Sequence, residues 1–231
     1  MTNSIHPTAI ITGEVVLGVG NTIGPFAVIT GPVTIGDHNW VGTGVVIGAP
    51  PEVRGFDHSI QAGEPAGNGV VIGSRNVLRE YCQVHQGWQR QTLVGDDLFI
   101  MNQAYVAHDC TLGNGVTLAS SVLLAGHVVI EEGANLGLGA AVHQHRRVGS
   151  GSIVGMGSIV TRDIPPFAKA FGNPAEVRGA NRVGMERWGI PVSSIDAVER
   201  TYQQPEDRWV LKRLSTFEGL ETAFRRWQAT R

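Results

Sequence analysis

Aliphatic residues recur at every sixth position along most of this chain, which gives 22 hexads. Their leading residues are Ile11, Leu17, Ile23, Ile29, Ile35, Val41 and Ile47, then Ile72, Leu78 and Val84, then Val94, Ile100, Val106, Leu112, Leu118, Leu124, Ile130, Leu136, Val142, Val148, Val154 and Val160. Twelve consecutive hexads in register fit neither the 3.6-residue period of an amphipathic helix nor the alternation of an ordinary strand. The pattern predicts a repeat protein in which each hexad forms a short strand and a tight turn.

Three such hexads complete one triangular coil, and successive coils stack at about 4.8 Å. The aliphatic residues then form ladders inside the prism, and hexads 18 residues apart share a face. Many of the aliphatic residues are followed by Gly or another small residue, which we expect to make the bend at each corner. The fold class predicted is therefore β, a parallel β-helix of hexapeptide repeats.

Two insertions interrupt the repeat. The first, near residues 49–70, is rich in Pro, Gly and charge, and the second places four extra residues within 86–93. If the coil resumes on the next face after each insertion, one face holds the hexads led by Ile47, Val84, Val106, Leu124 and Val142. Both insertions then emerge beside that face.

Helical spacing replaces the hexads from about residue 181. The apolar residues that follow it are Ile195, Val198, Tyr202, Val210, Leu214, Phe217, Leu220, Phe224 and Trp227. We therefore expect a β-helix over residues 1–180 and a small C-terminal helical domain over 181–231. The second segment carries a net charge of +2 and the first −4. Its basic residues Lys212, Arg213, Arg225 and Arg226 form either a solvated helix surface or a face that meets an acidic partner.

Composition and charge narrow the range of possible functions. With 42% apolar and 16% charged residues the chain of 231 residues is not disordered, and 31 glycines argue against a helical bundle. A net charge of −2 gives the chain no general electrostatic reason to bind nucleic acid or an anionic membrane. Neither a basic leader nor an apolar run of about 20 residues is present, so we expect a cytoplasmic protein without a membrane segment.

Cys82 and Cys110 show no metal-type spacing and are expected to be buried free thiols.

Four histidines fall in hexads of the face beside both insertions: His85, His108, His127 and His143. One histidine alone is usually structural, but four on one edge indicate a site, because imidazole accepts protons near neutral pH. His108 is the candidate general base. Asp109 would orient it only if a corner bends the chain between them, since consecutive strand residues point to opposite sides; otherwise Asp109 is a turn residue.

Several segments carry a resemblance to a known family. They are Ala107-His108-Asp109-Cys110, Leu124-Ala125-Gly126-His127-Val128, Ala141-Val142-His143-Gln144, Ile23-Gly24-Pro25-Phe26 and Gly63-Glu64-Pro65. With them, most of residues 5–190 resembles the UDP-N-acetylglucosamine acyltransferases that open lipid A synthesis, a branch of the hexapeptide-repeat acyltransferases. The resemblance implies a left-handed β-helix and a homotrimer with active sites between neighbouring prisms, an arrangement suited to flat faces.

The same resemblance implies roles for individual residues. His108 would deprotonate a sugar 3-hydroxyl or 3-amino group as it attacks an acyl thioester, and the N–H of Gly126 would stabilise the oxyanion. Substrate contacts are implied for His85, His127, His143, Gln144, Asn181 and Arg187. Met156 would set the acyl length at a medium chain, unless it only fills the core. The implied donor is acyl carrier protein with its phosphopantetheine-linked acyl group, and no tightly bound cofactor or metal is expected.

The acceptor loop departs from the family pattern. In the family an aspartate and a lysine usually precede the Gly-Glu-Pro segment. Here the loop before Gly63-Glu64-Pro65 is longer and contains no lysine, and Asp57 or His58 is the candidate to replace the aspartate. Tyr105 stands where a second histidine is usual, and Val183 and Trp188 stand where charged residues are typical. Because buried polar partners determine specificity strongly, these changes predict an altered acceptor pocket.

Three alternatives remain from the sequence. The first keeps the fold and base but uses acyl- or acetyl-CoA and a different nucleotide sugar. The second is a zinc site of the γ-type carbonic anhydrase kind, which is disfavoured because no two of the four histidines are five residues apart. The third is a non-catalytic scaffold, since solenoids often serve as rigid surfaces.

Overall fold

A computed structural model describes residues 2–59, 67–204 and 210–229 of the protein. Its strands form three sheets that run along the three faces of a parallel β-helix. Up to Val160, partners in neighbouring coils are 18 residues apart wherever no insertion intervenes, as in Val106 opposite Leu124 and Leu124 opposite Val142. In the last coil the separation is 16 residues, as in Val154 opposite Ala170. The predicted parallel β-helix is confirmed.

The strands are numbered in chain order. The ten-stranded sheet contains β1 (Ser4–Ile5), β4 (Thr22–Ile23), β7 (Trp40–Val41), β10 (Val77–Leu78), β13 (Phe99–Ile100), β16 (Thr117–Leu118), β19 (Asn135–Leu136), β22 (Ile153–Val154), β24 (Ala168–Phe171) and β25 (Glu176–Ala180). The eight-stranded sheet contains β2 (Ile10–Thr12), β5 (Val28–Thr30), β8 (Val46–Ala49), β11 (Gln83–His85), β14 (Tyr105–Val106), β17 (Leu123–Leu124), β20 (Ala141–Val142) and β23 (Ile159–Val160). The seven-stranded sheet contains β3 (Val15–Leu17), β6 (Val33–Ile35), β9 (Val70–Ile72), β12 (Thr92–Val94), β15 (Thr111–Leu112), β18 (Val129–Ile130) and β21 (Arg147–Val148).

The leading aliphatic residues line the core as predicted. All of them from Ile23 to Val160 are buried, and only Ile11 and Leu17 in the first coil are partly exposed. Each buried aliphatic side chain stabilises the fold by about 1.5–3 kcal/mol relative to an exposed one. Cys82 and Cys110 lie in the same core as free thiols, and burial raises the pKa of each to about 12. They are protonated packing residues, as expected.

The bends are placed differently from the prediction. Left-handed backbone conformation occurs three residues after the leading aliphatic, for example at His38 with φ 58° and at Gly44 with φ 65°. The small residue directly after the aliphatic serves another purpose, because a Cβ on Gly36 would come within 2.8 Å of the carbonyl oxygen of Gly73 in the next coil. The prediction that this residue makes the bend is therefore wrong: it permits close stacking of coils.

Both insertions leave the eight-stranded sheet, as the face assignment predicted. The first separates β8 from β9 and the second separates β11 from β12, and each time the chain resumes in the seven-stranded sheet. Gly63-Glu64-Pro65, one of the segments that carried the family resemblance, lies outside the described residues.

The coils end in an antiparallel hairpin of β24 and β25, which extends the ten-stranded sheet. Four helices follow: α1 (Arg182–Arg187), α2 (Val192–Gln203), α3 (Val210–Leu214) and α4 (Glu221–Ala229). Their apolar faces form a second cluster with Phe167 that includes Ile195, Val198, Leu214, Leu220 and Phe224. Among the described residues, none of the helices has the length and apolar character needed to cross a bilayer.

A buried ion pair connects the β-helix to the last helix. Arg147 pairs with Glu131 and donates hydrogen bonds to the carbonyl oxygens of Trp227 and Arg226, both at 2.9 Å. Its guanidinium lies 4.5 Å from the centre of the Trp227 ring. Glu131 also accepts from the backbone N–H and the hydroxyl of Ser150, both at 2.9 Å.

Replacing Arg147 with methionine is expected to lower the free energy of unfolding by about 3–5 kcal/mol, because it leaves the Glu131 carboxylate buried without its cation. Urea unfolding followed by circular dichroism measures this loss. Arg75→Met is the matched control, since Arg75 pairs with Asp97 on the surface and such pairs contribute about 0–1 kcal/mol. Equal effects of the two substitutions would contradict the assigned role of Arg147.

Candidate active site

The predicted catalytic residues His108, Asp109 and Gly126 lie at the corner that follows the eight-stranded sheet. Asp109, His127 and His145 occupy the same hexad position on successive coils, with left-handed φ values of 61°, 62° and 59°. These three residues and the adjoining His108 form what we call the histidine corner. Because equivalent positions of stacked coils lie above one another, this edge holds one carboxylate and three imidazoles, two of which face the carboxylate.

His108 and Asp109 form a hydrogen-bonded pair across the bend. His108 Nδ1 lies 2.6 Å from Asp109 Oδ2, and the His108 side chain is 15% exposed whereas that of Asp109 is fully buried. Burial by itself would raise the pKa of Asp109, but hydrogen bonds from His108 and from the backbone of Arg90 and Gln89 outweigh it and hold that pKa below the usual value. Asp109 is therefore a carboxylate at neutral pH and no mere turn residue. It accepts from Nδ1–H, which leaves the lone pair of His108 on Nε2.

Gly126 lies directly beneath the His108 ring. A Cβ on Gly126 would come within 2.5 Å of His108 Cε1 and 2.6 Å of Nε2, so the ring occupies this position only because residue 126 lacks a side chain. The backbone N–H of Gly126 donates to no acceptor within the described part of the chain. A basic nitrogen and an uncommitted amide donor thus lie side by side.

His127 completes the surroundings of the carboxylate. Its Nε2 lies 3.6 Å from Asp109 Oδ2, its ring meets that of His108 edge-on at 5.2 Å, and it stacks on His145 at 4.4 Å. Burial lowers the pKa of His127, and His145, His108 and Arg90 lower it further against the opposing effect of Asp109. His127 is therefore neutral at pH 7 and can both donate and accept hydrogen bonds.

The stacked partner of His127 is His145 and not the predicted His143. His143 occupies a different hexad position, is exposed, and has Nδ1 3.1 Å from the carbonyl oxygen of its neighbour Gln144. Sequence reasoning missed His145, although its separation of 18 residues from His127 could have found it. The exposed Gln144 side chain lies at the same hexad position as His108 and Gly126.

His85 lies apart from this corner, beneath the first insertion. Only 5% exposed, it places Nδ1 2.8 Å from the carbonyl oxygen of Pro50 and its ring 5.1 Å from Tyr105. The Tyr105 hydroxyl donates to the Glu52 carboxylate, and burial together with this bond raises the pKa of Tyr105. Glu52, a residue of the first insertion that sequence reasoning did not select, is thus bonded through its carboxylate to Tyr105 of the β-helix.

The other two loop candidates contact their own neighbours. Asp57 accepts from the backbone N–H of Ser59 at 2.9 Å and from its hydroxyl at 2.6 Å, which lowers the pKa of Asp57. His58 lies edge-on to Phe56, with ring centres 5.0 Å apart.

The remaining predicted residues lie elsewhere. Asn181 caps α1 by accepting from the Gly184 N–H at 3.2 Å and donates to the Gly151 carbonyl oxygen at 2.9 Å, so both ends of its amide are engaged within the chain. Arg187 is exposed at the end of α1. Met156 is 75% exposed at the corner after β22, so the alternative that it fills the core is wrong.

His108, Asp109 and His127 could also hold a metal ion, because each offers one ligand atom and these atoms lie within 4.8 Å of one another. The direct bond from His108 Nδ1 to Asp109 Oδ2 satisfies both atoms without a cation. A zinc ion would have to enter between them, which a direct metal analysis of the purified protein can test.

Family models match two parts of the chain. Residues 91–126 match the bacterial transferase hexapeptide (six repeats), and residues 163–218 match the second domain of UDP-N-acetylglucosamine O-acyltransferase.

Curated relatives carry the name acyl-[acyl-carrier-protein]–UDP-N-acetylglucosamine O-acyltransferase. One from Verminephrobacter eiseniae is 36% identical over 145 residues, which is 62% of this chain and 55% of the relative. One from Pseudomonas paraeruginosa is 37% identical over 144 residues, 61% of this chain and 55% of the relative. The chain thus spans about half the length of the curated relatives it matches.

Solved structures extend the similarity over nearly the whole chain. The UDP-N-acetylglucosamine acyltransferase from Campylobacter jejuni is 28% identical with a TM-score of 0.78, covering 97% of this chain and 93% of that structure. The enzyme from Francisella novicida is 26% identical with a TM-score of 0.71, covering 99% and 88%. The family resemblance predicted from the sequence is thus supported: two family models match parts of the chain, and solved UDP-N-acetylglucosamine acyltransferases match nearly all of it.

Proposed function

We propose that the protein transfers an acyl group from acyl carrier protein to the 3-hydroxyl or 3-amino group of a UDP-amino sugar, the first step of a lipid A-type pathway. The observation that carries this proposal is the His108–Asp109 pair, bonded at 2.6 Å, with the lone pair of His108 beside the uncommitted N–H of Gly126. Acyl transfer requires a base and an oxyanion donor close to one another. The names of the relatives support the same donor and acceptor.

The reaction follows from these three residues. His108 Nε2 takes the proton of the acceptor while the acceptor's oxygen or nitrogen attacks the carbonyl carbon of the thioester. The Gly126 N–H then donates to the oxyanion of the tetrahedral intermediate. When the intermediate collapses, the C–S bond breaks and the imidazolium returns its proton to the departing phosphopantetheine thiolate. The Asp109 carboxylate stabilises the imidazolium between the two proton transfers.

Gly126→Ala is expected to lower kcat by about 10²- to 10³-fold, the usual effect of losing an oxyanion donor. The added methyl group would meet the His108 ring at 2.5 Å and displace it from the amide. Steady-state kinetics measures the loss. Gly115→Ala is the control, because Gly115 has left-handed backbone like several corner residues but a Cβ there meets no atom closer than 4.0 Å. Equal losses in both variants would indicate a general folding defect.

Apolar residues lead from the histidine corner towards Met156. The outward side chains of the eight-stranded sheet include Leu123, which is exposed, and Ala141 and Ile159. This sheet ends at the histidine corner and begins at the corner where Met156 and Leu138 are exposed. An acyl chain whose thioester carbonyl lies beside His108 and Gly126 could lie along this surface and end near Met156. In the proposed homotrimer a neighbouring prism would cover the chain.

The other predicted site residues are assigned roles from their positions and from the family resemblance. His127, His143 and Gln144 are exposed or partly exposed near the base and would contact the acceptor or the phosphopantetheine arm. His85 would act indirectly beneath the acceptor loop, and Arg187 would contact the donor arm. The basic residues of the C-terminal helices would meet acidic acyl carrier protein, which would also place the reaction in the cytoplasm. Asn181 would act mainly by fixing the start of α1.

Incubation of the purified protein with UDP-N-acetylglucosamine, its 3-amino analogue and a series of acyl donors tests the proposal. Donors of increasing chain length are offered on acyl carrier protein and, separately, on CoA, and mass spectrometry identifies the product. We expect turnover with acyl carrier protein and a preference for medium chains. Turnover with acetyl-CoA alone would replace the proposal with the CoA-dependent alternative. Absence of turnover with every pair would favour a scaffold.

A further inference from the structure

The second insertion folds back onto the buried carboxylate of the histidine corner. The backbone N–H groups of Trp88, Gln89 and Arg90 all donate to Asp109 Oδ1, at 3.1, 2.8 and 2.7 Å. Three consecutive amides on one oxygen form a nest that binds an anion. Because Oδ1 is held in this way, Oδ2 is directed to His108 Nδ1.

Arg90 also binds the backbone of the same residue. Its Nε and Nη2 donate to the carbonyl oxygen of Asp109 at 3.1 and 2.9 Å. Arg90 thus contacts Asp109 at both its side chain and its main chain, while the guanidinium remains at the surface. A planar guanidinium fork fixes orientation better than a single flexible ammonium group.

The insertion replaces a coil contact that the other corners retain. At the equivalent positions, the N–H of His127 donates to the His108 carbonyl oxygen and that of His145 to the Gly126 carbonyl oxygen. The N–H of Asp109 instead donates to the hydroxyl of Thr92 at 3.0 Å. The regular ladder is therefore interrupted at Asp109, and the insertion supplies the contacts that hold this residue.

The first insertion supports the second. Phe56 is buried and meets the Trp88 ring edge-on, with ring centres 5.8 Å apart. Asn68 donates to the Trp88 carbonyl oxygen at 2.6 Å. Trp88 in turn supplies one of the three amides on Asp109, so the two insertions are in contact above the catalytic pair.

We propose that segment 86–91 is a clamp for the Asp109 carboxylate and that Arg90 is a positioning residue for the His108–Asp109 pair. The expected effect on kcat rests on the proposed function. The clamp itself, which is a set of hydrogen bonds to Asp109, does not. Arg90 acts through Asp109: its guanidinium fixes the main chain of that residue and its backbone N–H helps to fix the carboxylate, which fixes the tautomer and ring orientation of His108. Loss of the clamp would leave substrate binding intact and misalign the base.

Kinetics and NMR of Arg90→Ala and Arg90→Lys test the clamp. We expect Arg90→Ala to lower kcat by about 10- to 100-fold with KM for both substrates within about twofold, since misplacement of a catalytic group affects the chemical step. In protein labelled with ¹⁵N-histidine, the downfield Nδ1–H signal of His108, identified by its loss in His108→Ala, should broaden or disappear. Arg90→Lys should recover part of kcat and part of the signal. Arg75→Ala, which removes an exposed arginine bonded to Asp97, is the control and should change neither.

The two measurements separate the clamp from the proposed function. An Arg90→Ala variant with wild-type kcat and an unchanged Nδ1–H signal would overturn the positioning role of Arg90, and the proposal with it. An equal loss in Arg90→Ala and Arg75→Ala would also overturn it, because the effect would then be a general one. If the wild-type protein transfers no acyl group, the proposed function fails, and the NMR signal alone still decides whether Arg90 holds the pair.

Discussion

Replacing His108 with alanine is expected to lower kcat for acyl transfer by about 10²- to 10⁴-fold, the usual contribution of a positioned general base. The lone pair on Nε2 adjoins the Gly126 amide, and no other described imidazole combines this contact with a bond to Asp109. His127 lies 3.6 Å from the carboxylate but stacks on His145, and its lowered pKa makes it a weaker base. Activity is measured at saturating concentrations of both substrates, so that a change in binding does not obscure the chemical step.

Two controls accompany this substitution. Exogenous imidazole should restore part of the activity of His108→Ala, because the removed ring leaves space above Gly126. His38→Ala is the matched control: His38 has left-handed backbone with φ 58° at another corner and is exposed. We expect it to retain full activity. Wild-type turnover in His108→Ala would remove His108 as the base and favour either another base or a scaffold.

The period of six predicts the parts of this structure that depend on repetition. Coils without an insertion have the same length up to Val160, so a residue's number gives its face and its distance from a corner once the two insertions are taken into account. That is why Ile47, Val84 and Val106 were correctly placed on one sheet despite two insertions. The same arithmetic places His145 above His127, because the two residues share a position within the hexad, whereas His143 does not share it.

The clamp and the acceptor loop could not be predicted in this way. Trp88 and Arg90 reach Asp109 from an insertion that has no periodic partner, and Glu52 meets Tyr105 across 53 residues of sequence. Contacts of this kind depend on the path of an irregular loop, which composition and period do not determine. The small residues after each aliphatic were misinterpreted for a related reason, since the close approach of the next coil is visible only in three dimensions.

Asp109→Asn is expected to lower kcat by about 10²- to 10⁴-fold while the protein keeps its fold. Because three backbone amides bind Oδ1, the asparagine must leave its carbonyl oxygen in that nest and turn its NH₂ group towards His108. An NH₂ group cannot accept from Nδ1–H, so the imidazole adopts the other tautomer and carries its proton on Nε2. His108 Nε2 then has no lone pair with which to take the proton of the acceptor. ¹⁵N NMR of the His108 ring detects the change of tautomer directly.

The pH dependence of stability provides a separate test of the same carboxylate. The pKa of Asp109 in the folded protein lies below its usual value of 3.8, so the ionised group stabilises the fold at pH values above about 4. This contribution is lost as the pH falls through the folded pKa. The amide introduced by Asp109→Asn does not titrate, and the difference in unfolding free energy between wild type and this variant should therefore narrow as the pH is lowered below about 4. A difference that stays constant down to about pH 2 would show that the Asp109 carboxylate is not preferentially ionised in the fold, and the assignment of Nδ1–H as its donor would fail with it.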